Sequence, residues 1–271
     1  MNIRELKQIC QKNDDEIFIT DKLIFRKLSI YVTKVCILLK ISANCATFLS
    51  LIFALLGSIL LLSNDSMLLI LASICIFMYW VLDYVDGELA RYYIHMNKQK
   101  KSLQGNYFDY LVHFFSTNIM FLAIGYSSYK RYDDVIFYLL GIISCIGISN
   151  FPNLVASMII AKDINYNKNN IVQEDEKNIL LLLDDGARGK ENILNDNKLD
   201  KVIQFIKEAL VFPGCLNMLI IVTLMDGISN NRINILGFNF RSIYLILFSI
   251  IMLLNTIRKS IFWINRMKDV S

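Results

Sequence analysis

Hydrophobic and polar positions alternate along this chain in long blocks. Residues 1–20 are polar and mixed in sign, with no apolar core of the kind a cleavable leader needs. Residues 21–41 interleave Lys22, Arg26, Lys27, Lys34 and Lys40 with Leu23, Ile24, Phe25, Leu28, Ile30, Tyr31, Val35 and Ile37. That mixture predicts an amphipathic helix lying in a membrane interface, basic groups toward the headgroups. Six apolar stretches follow, at about 44–63, 67–86, 107–129, 134–161, 204–226 and 233–257. Each approaches the roughly 20 residues that cross a bilayer core. Pro152 interrupts the fourth and Pro213-Gly214 opens the fifth, so both invite a kink. A polar stretch rich in Asn, Asp and Lys, about 162–203, separates them and reads as a loop. The predicted fold is therefore all-α: a polytopic membrane protein with six transmembrane helices, residues 44–271, preceded by a segment 1–43 that carries the interfacial helix.

Composition agrees with this reading. The chain of 271 residues is 55% hydrophobic, above the ~45–50% common in soluble domains. The net charge of +4 says little until the charges are placed. With the N-terminus inside, 24 of the 28 Lys and Arg fall on inside segments or adjoining helix ends. Lys130, Arg131, Arg232 and Arg241 alone flank the outside turns. The positive-inside rule thus predicts an N-in, C-in chain. The six Cys form no CxxC pair and lie mostly in apolar segments, which fits reduced structural thiols. No nucleic-acid partner is expected.

Carboxylates inside the apolar blocks carry the functional signal. An ionisable side chain within a spanning segment is costly and marks a candidate site. Asp83 and Asp86 stand three residues apart at the inner end of the second block, on one helix face. Asp109 opens the third block and His113 follows one turn later. With about 20 residues between the blocks, the two helices are expected to be antiparallel neighbours. Three carboxylates and an imidazole would then meet near the inner surface. Hard oxygen donors suit a divalent cation that itself holds phosphate. Gly87 and Gly105 allow close backbone approach to a ligand, and Arg91 lies one turn past Gly87, within reach of a phosphate or carboxylate.

Residues 83–113, DYVDGELARYYIHMNKQKKSLQGNYFDYLVH, resemble the signature of the CDP-alcohol phosphotransferase family, DxxDGxxAR followed by GxxxDxxxD. Asp83, Asp86, Gly87, Ala90 and Arg91 match its first half, Gly105 and Asp109 most of its second. Ser42-Ala43-Asn44-Cys45-Ala46-Thr47 is similar to the segment that opens the family's first span, with Ala in place of Pro. The resemblance implies an integral-membrane enzyme with a cytoplasm-facing site, in the cytoplasmic membrane if the source is bacterial. It would transfer a substituted phosphate from CDP-diacylglycerol or a CDP-alcohol to an alcohol and release CMP in phospholipid synthesis. It also implies a homodimer and a pair of Mg²⁺ or Mn²⁺ ions on Asp83, Asp86 and Asp109. Asn44, Thr47, Gly87, Ala90, Arg91 and Gly105 would line the nucleotide and phosphate site.

Two departures stand out. The last motif position is His113 rather than Asp, and the 13 residues between Arg91 and Gly105 make a long spacer. A histidine can serve there as general base or as metal ligand. His95 in the spacer reads as a solvated loop residue. Asp184-Asp185-Gly186-Ala187-Arg188 echoes half of the motif without its spacing. Two other classes remain open at this point: an inactive relative that binds membrane lipid, and an ion-coupled transporter. Carboxylates gathered at one surface and the lack of an inverted repeat speak against the transporter.

Overall fold

The computed structural model describes residues 2–11, 24–98, 103–150, 152–153, 155, 158, 214–230, 232 and 235–268. The polar stretch 162–203, the Asp184–Arg188 echo and Pro213 lie outside them. The described secondary structure is eight helices and one isolated bridge, Ile235 with Phe238. We number the helices α1 (Ile3–Cys10), α2 (Arg26–Leu38), α3 (Ala43–Leu61), α4 (Ser66–His95), α5 (Leu103–Tyr132), α6 (Ile136–Ile148), α7 (Gly214–Ile228) and α8 (Phe240–Lys268).

Local chemistry explains where the helices start and stop. Ser42 caps α3 by accepting from the Cys45 amide at 3.3 Å. Asp65 caps α4 with the amides of Met67 and Leu68, at 3.0 and 3.1 Å. At the other end of α4, Asn97 takes a left-handed φ of 54°, while Lys98 N–H reaches the Tyr93 carbonyl at 3.0 Å. That backbone closure ends a helix without glycine, because Asn tolerates the left-handed region.

Four helices are long and apolar enough to cross a membrane: Ala43–Leu61, Ser66–His95, Gln104–Tyr132 and Phe240–Asn265. Two shorter apolar helices, Ile136–Ile148 and Gly214–Ile228, fall within the fourth and fifth predicted spans; the rest of those spans is largely outside the described residues. Rows of large apolar side chains point outward, such as Phe48, Leu55, Leu56 and Ile59 on α3 and Leu253, Leu254, Ile257 and Ile261 on α8. Burial inside a lipid phase is the environment in which such a surface costs nothing.

α4 and α5 each have 30 residues, about 45 Å at 1.5 Å per residue, well beyond a bilayer core. The sequence reading ended the second span at residue 86 because charges begin there. The helix instead continues to His95, since those charges find partners within the protein. Only 96–102 separate α4 from α5, not about 20 residues.

α3 packs along both α4 and α5, α7 along α4, and α8 along α6. α4 and α5 themselves are antiparallel without close backbone packing; side chains bridge the space between them. Elsewhere small residues bring helices together. A Cβ on Gly125 would lie 3.0 Å from the Phe137 carbonyl and 3.1 Å from Gly141 Cα, so α5 and α6 touch backbone to backbone.

α1 and α2 dock on the end of α4 where the acidic motif lies. α2 turns Ser29, Ile30, Thr33 and Cys36 inward and exposes Leu28, Tyr31, Val35 and Leu38. Its hydroxyl-bearing side faces the protein and its apolar stripe faces outward.

Candidate active site

Tyr79, Asp83 and Asp86 recur at helical spacing along α4 and so share one of its faces. Asp109 and His113 share a face of α5 in the same way. His113 Nε2 lies 2.8 Å from Asp83 Oδ1 and 3.4 Å from Asp109 Oδ1. The ligand atoms of Asp83, Asp109 and His113 all lie within 4.8 Å of one another. His113 and Asp83 side chains are 18% and 15% exposed and Asp109 is 40% exposed. Asp109 is therefore the most open of the three.

Asp86 is set apart from these three. It is 8% exposed and accepts a hydrogen bond from Thr47 Oγ1 at 2.7 Å. Asp83, Asp109 and His113 are its electrostatic neighbours. Asn44 is exposed one turn before Thr47 on α3. Thus α3 supplies Thr47 to an acidic cluster that is otherwise built by α4 and α5.

The far side of the imidazole is walled by aromatic rings. Tyr79 Oη lies 3.0 Å from His113 Nδ1, and the Trp80 ring meets the imidazole edge to face at 6.3 Å. Phe25, at the start of α2, packs on Trp80 and stacks with Tyr84, so the N-terminal helices support this wall.

The remaining motif residues lie around the cluster. The three heavy atoms nearest to a Cβ on Gly87 would all belong to the Arg91 guanidinium, the closest at 3.4 Å. Arg91 Nε donates to the Cys10 carbonyl, which ties it to α1. Ala90 is half-buried on α4, and Gly105 stands in the first turn of α5, four residues before Asp109. His95 is exposed at the end of α4. At this end of the molecule an open cavity of about 450 Å³ is lined by Ile37, Lys40, Ser42, Tyr92, Tyr93 and Lys98.

A family model described as CDP-alcohol phosphatidyltransferase matches residues 40–184, just over half of the chain. The chain belongs to this family. Its members are membrane transferases of phospholipid synthesis that use divalent metals, and the matched segment contains α3, α4 and α5 whole. No curated protein matches the chain significantly.

Three residues that matter here carry no part in the motif. Tyr79 was legible only as one turn before Asp83. Glu88 stands two residues past Asp86, about 200° round the helix. It is 1% exposed and accepts from Gln11 Nε2 at 2.9 Å, Ser29 Oγ at 2.7 Å and Thr33 Oγ1 at 2.6 Å. So one face of α4 presents the acidic cluster while the other anchors α1 and α2. Asp226, in the apolar run of α7, was detectable by the rule that flagged Asp83: an ionisable group in a spanning segment.

Proposed function

We propose that this protein moves a substituted phosphate from a CDP-linked donor, CDP-diacylglycerol or a CDP-alcohol, to an alcohol acceptor, and releases CMP. The observation that carries the reading is the meeting of Asp83 and Asp109 around His113 Nε2 on two helices whose backbones stand apart. The carboxylate oxygens of Asp83 and Asp109 fit Mg²⁺ or Mn²⁺. Asp83 and Asp109, with Asp86 beside them, would hold a pair of these ions. When bound, the metal neutralises the donor diphosphate and the departing CMP.

The residues of the chain do the rest. His113 takes the proton of the acceptor hydroxyl at Nε2 as that oxygen bonds to the phosphorus of the transferred group. The bond from that phosphorus to the bridging oxygen breaks, and CMP leaves with the electron pair. Thr47 holds Asp86 in place. Asn44, Gly87, Ala90 and Gly105 leave room for the nucleotide. Arg91 gives its Nε hydrogen to the Cys10 carbonyl and holds its terminal nitrogens beside Gly87, where they can meet a phosphate, with Lys40 and Lys98 at the rim of the neighbouring cavity. The lipid partner enters sideways, between helices. The Lys and Arg distribution favours an N-in, C-in chain of six spans with the site at the cytoplasmic face, and the working unit is a homodimer.

Purified protein in detergent with Mg²⁺ or Mn²⁺, screened against labelled CDP-diacylglycerol, CDP-choline and CDP-ethanolamine with matching acceptors, tests this. CMP release is expected from one donor class, and Asp109→Ala lowers it roughly a thousandfold. Full activity in that variant would remove Asp109 from the site. Silence with every donor would instead favour a lipid-binding relative without catalysis.

A further inference from the structure

α2 and α4 end in the same way. Lys40 follows α2 with a left-handed φ of 57°, and the Ile41 N–H reaches back to the Cys36 carbonyl at 2.9 Å. Asn97 follows α4 with a φ of 54°, and the Lys98 N–H reaches back to the Tyr93 carbonyl at 3.0 Å. Such a closure favours glycine or asparagine at its left-handed position. A lysine there is unusual, because its Cβ crowds the backbone. Both closures border the open cavity of about 450 Å³, and each brings a lysine to its wall, Lys40 from the end of α2 and Lys98 from the end of α4. Tyr93 Oη donates to the Ile41 carbonyl at 2.9 Å, which ties the end of α4 to the link between α2 and α3.

The charge of this cavity is one-sided. Two of the residues that line it are basic and none is acidic. Glu88, one turn before Tyr92 on α4, is buried and already accepts from Gln11, Ser29 and Thr33. Neither the Lys40 nor the Lys98 side chain enters a hydrogen bond or ion pair among the described residues. One lysine at a helix end can serve the helix dipole. Two lysines on one cavity without an acid repel each other, and an anion between them removes that cost. The edge of the cavity is apolar. Leu38 and Leu39, just before Lys40, are strongly exposed and carry the outward stripe of α2 up to it. A ligand with a phosphate for the lysines and hydrocarbon for that stripe fits both features.

We propose that this cavity binds the headgroup phosphate of an anionic phospholipid, held by Lys40 and Lys98. The site is separate from the acidic cluster. Tyr93 stands seven residues past Asp86 on α4, about 10 Å along the helix. The two phosphates of a diphosphate are one bridging oxygen apart, so a diphosphate held at Asp83 and Asp109 does not fill the cavity. A choline headgroup would set a third cation beside the two lysines, so the site selects lipids of net negative charge. Basic pockets at the ends of membrane helices recognise headgroups in this way. The proposal stands apart from the transferase reading and needs only that the helices lie in a membrane.

The test is a titration of the full chain in neutral detergent with dioctanoyl phosphatidylglycerol or dioctanoyl phosphatidylcholine, with bound lipid counted by native mass spectrometry. EDTA keeps divalent ions off the acidic cluster, so phosphate held there through metal does not contribute. Phosphatidylglycerol is expected to bind more tightly than phosphatidylcholine. Lys40→Gln and Lys98→Gln are each expected to weaken it about fivefold, and together roughly thirtyfold. Lys40→Arg with Lys98→Arg, which keeps both charges, should preserve binding. Lys27→Gln, exposed near the start of α2, roughly 20 Å away along the helix, should leave it unchanged. Equal affinity for the two lipids, or a double glutamine variant that binds like the parent, would overturn the proposal. So would an equal loss in Lys27→Gln, which would mean diffuse attraction rather than a site. Displacement of the lipid by an equal concentration of glycerol phosphate would assign the cavity to a soluble phosphate ester and overturn the lipid assignment. If no donor releases CMP, the transferase reading fails, while this titration still decides what the cavity binds.

Discussion

The two ends of the helix bundle each hold buried charge, and they treat it in opposite ways. At the end away from the acidic motif, Asp226 of α7 and Arg241 of α8 form a pair at 2.9 Å with side chains 0% and 1% exposed. Asp226 also accepts from Asn239 Nδ2 and from the amides of Phe240 and Arg241. Arg241 donates onward to the Leu61 carbonyl and to Asn64 Oδ1. Every charge is met by one of opposite sign or by a dipole, and α3, α7 and α8 are pinned together. At the motif end, three carboxylates face one imidazole, and Asp109 stays 40% exposed. Negative charge there exceeds what the nearby side chains neutralise. A finished network stabilises a fold; an unfinished, partly exposed one can bind a cation.

Breaking each end should therefore give different phenotypes. The largest effect expected is on turnover: Asp83→Ala removes most CMP release, roughly a thousandfold. Its melting temperature in detergent is expected to stay at or above that of the parent, because a repelling carboxylate is gone. A large fall in melting temperature would show that Asp83 belongs to the structural class of Asp226. Second, Asp226→Ala is expected to cost about 3–5 kcal/mol of stability by leaving Arg241 buried and unpaired. Activity per folded molecule should persist, and the joint change Asp226→Leu with Arg241→Met should recover much of the loss. Thermal unfolding followed by CMP assays on the surviving fraction separates the two quantities.

A smaller effect concerns Glu88, which belongs to the finished class although it sits beside the site. Glu88→Ala removes the carboxylate that the α2 hydroxyls of Ser29 and Thr33 donate to, at about 1–3 kcal/mol. Docking of α1 reports on it through Cys10, which is fully buried. Burial, reinforced by the Glu88 charge, pushes this thiol up to about 11. Its thiolate, the reactive form, is therefore scarce below that pH. Maleimide at pH 7–8 should leave Cys10 unmodified in the parent and label it in Glu88→Ala. Equal protection in both would mean that α1 stays docked without Glu88.

The charge count that assigned Arg241 to the flank of an outside turn carried no information about its environment. A count treats each basic residue alike. Whether Arg241 meets water or Asp226 depends on how the start of α8 meets the end of α7, where the Asn239 side chain and the Phe240 and Arg241 amides reach Asp226. The same blindness shortened α4. Hydropathy falls at Asp86, yet the helix runs nine residues further because Glu88 and Arg91 are answered by Ser29, Thr33 and Cys10 from distant sequence. The amphipathic character of α2 was plain from its spacing. That its hydroxyl side would turn inward could be known only once Glu88 was in place.

The order of residues alone determined the helical class, the apolar blocks, and the acidic motif with its histidine at the last position. These follow from local rules: hydrophobic length against a bilayer, and side-chain spacing on one helix. Tertiary structure decided which charges stay open and which are closed, and that Tyr79 and Trp80 stand behind the His113 imidazole. Both depend on contacts between helices far apart in the chain, where distances of about 3 Å set whether a polar group is satisfied, and no periodicity in the sequence encodes such a distance.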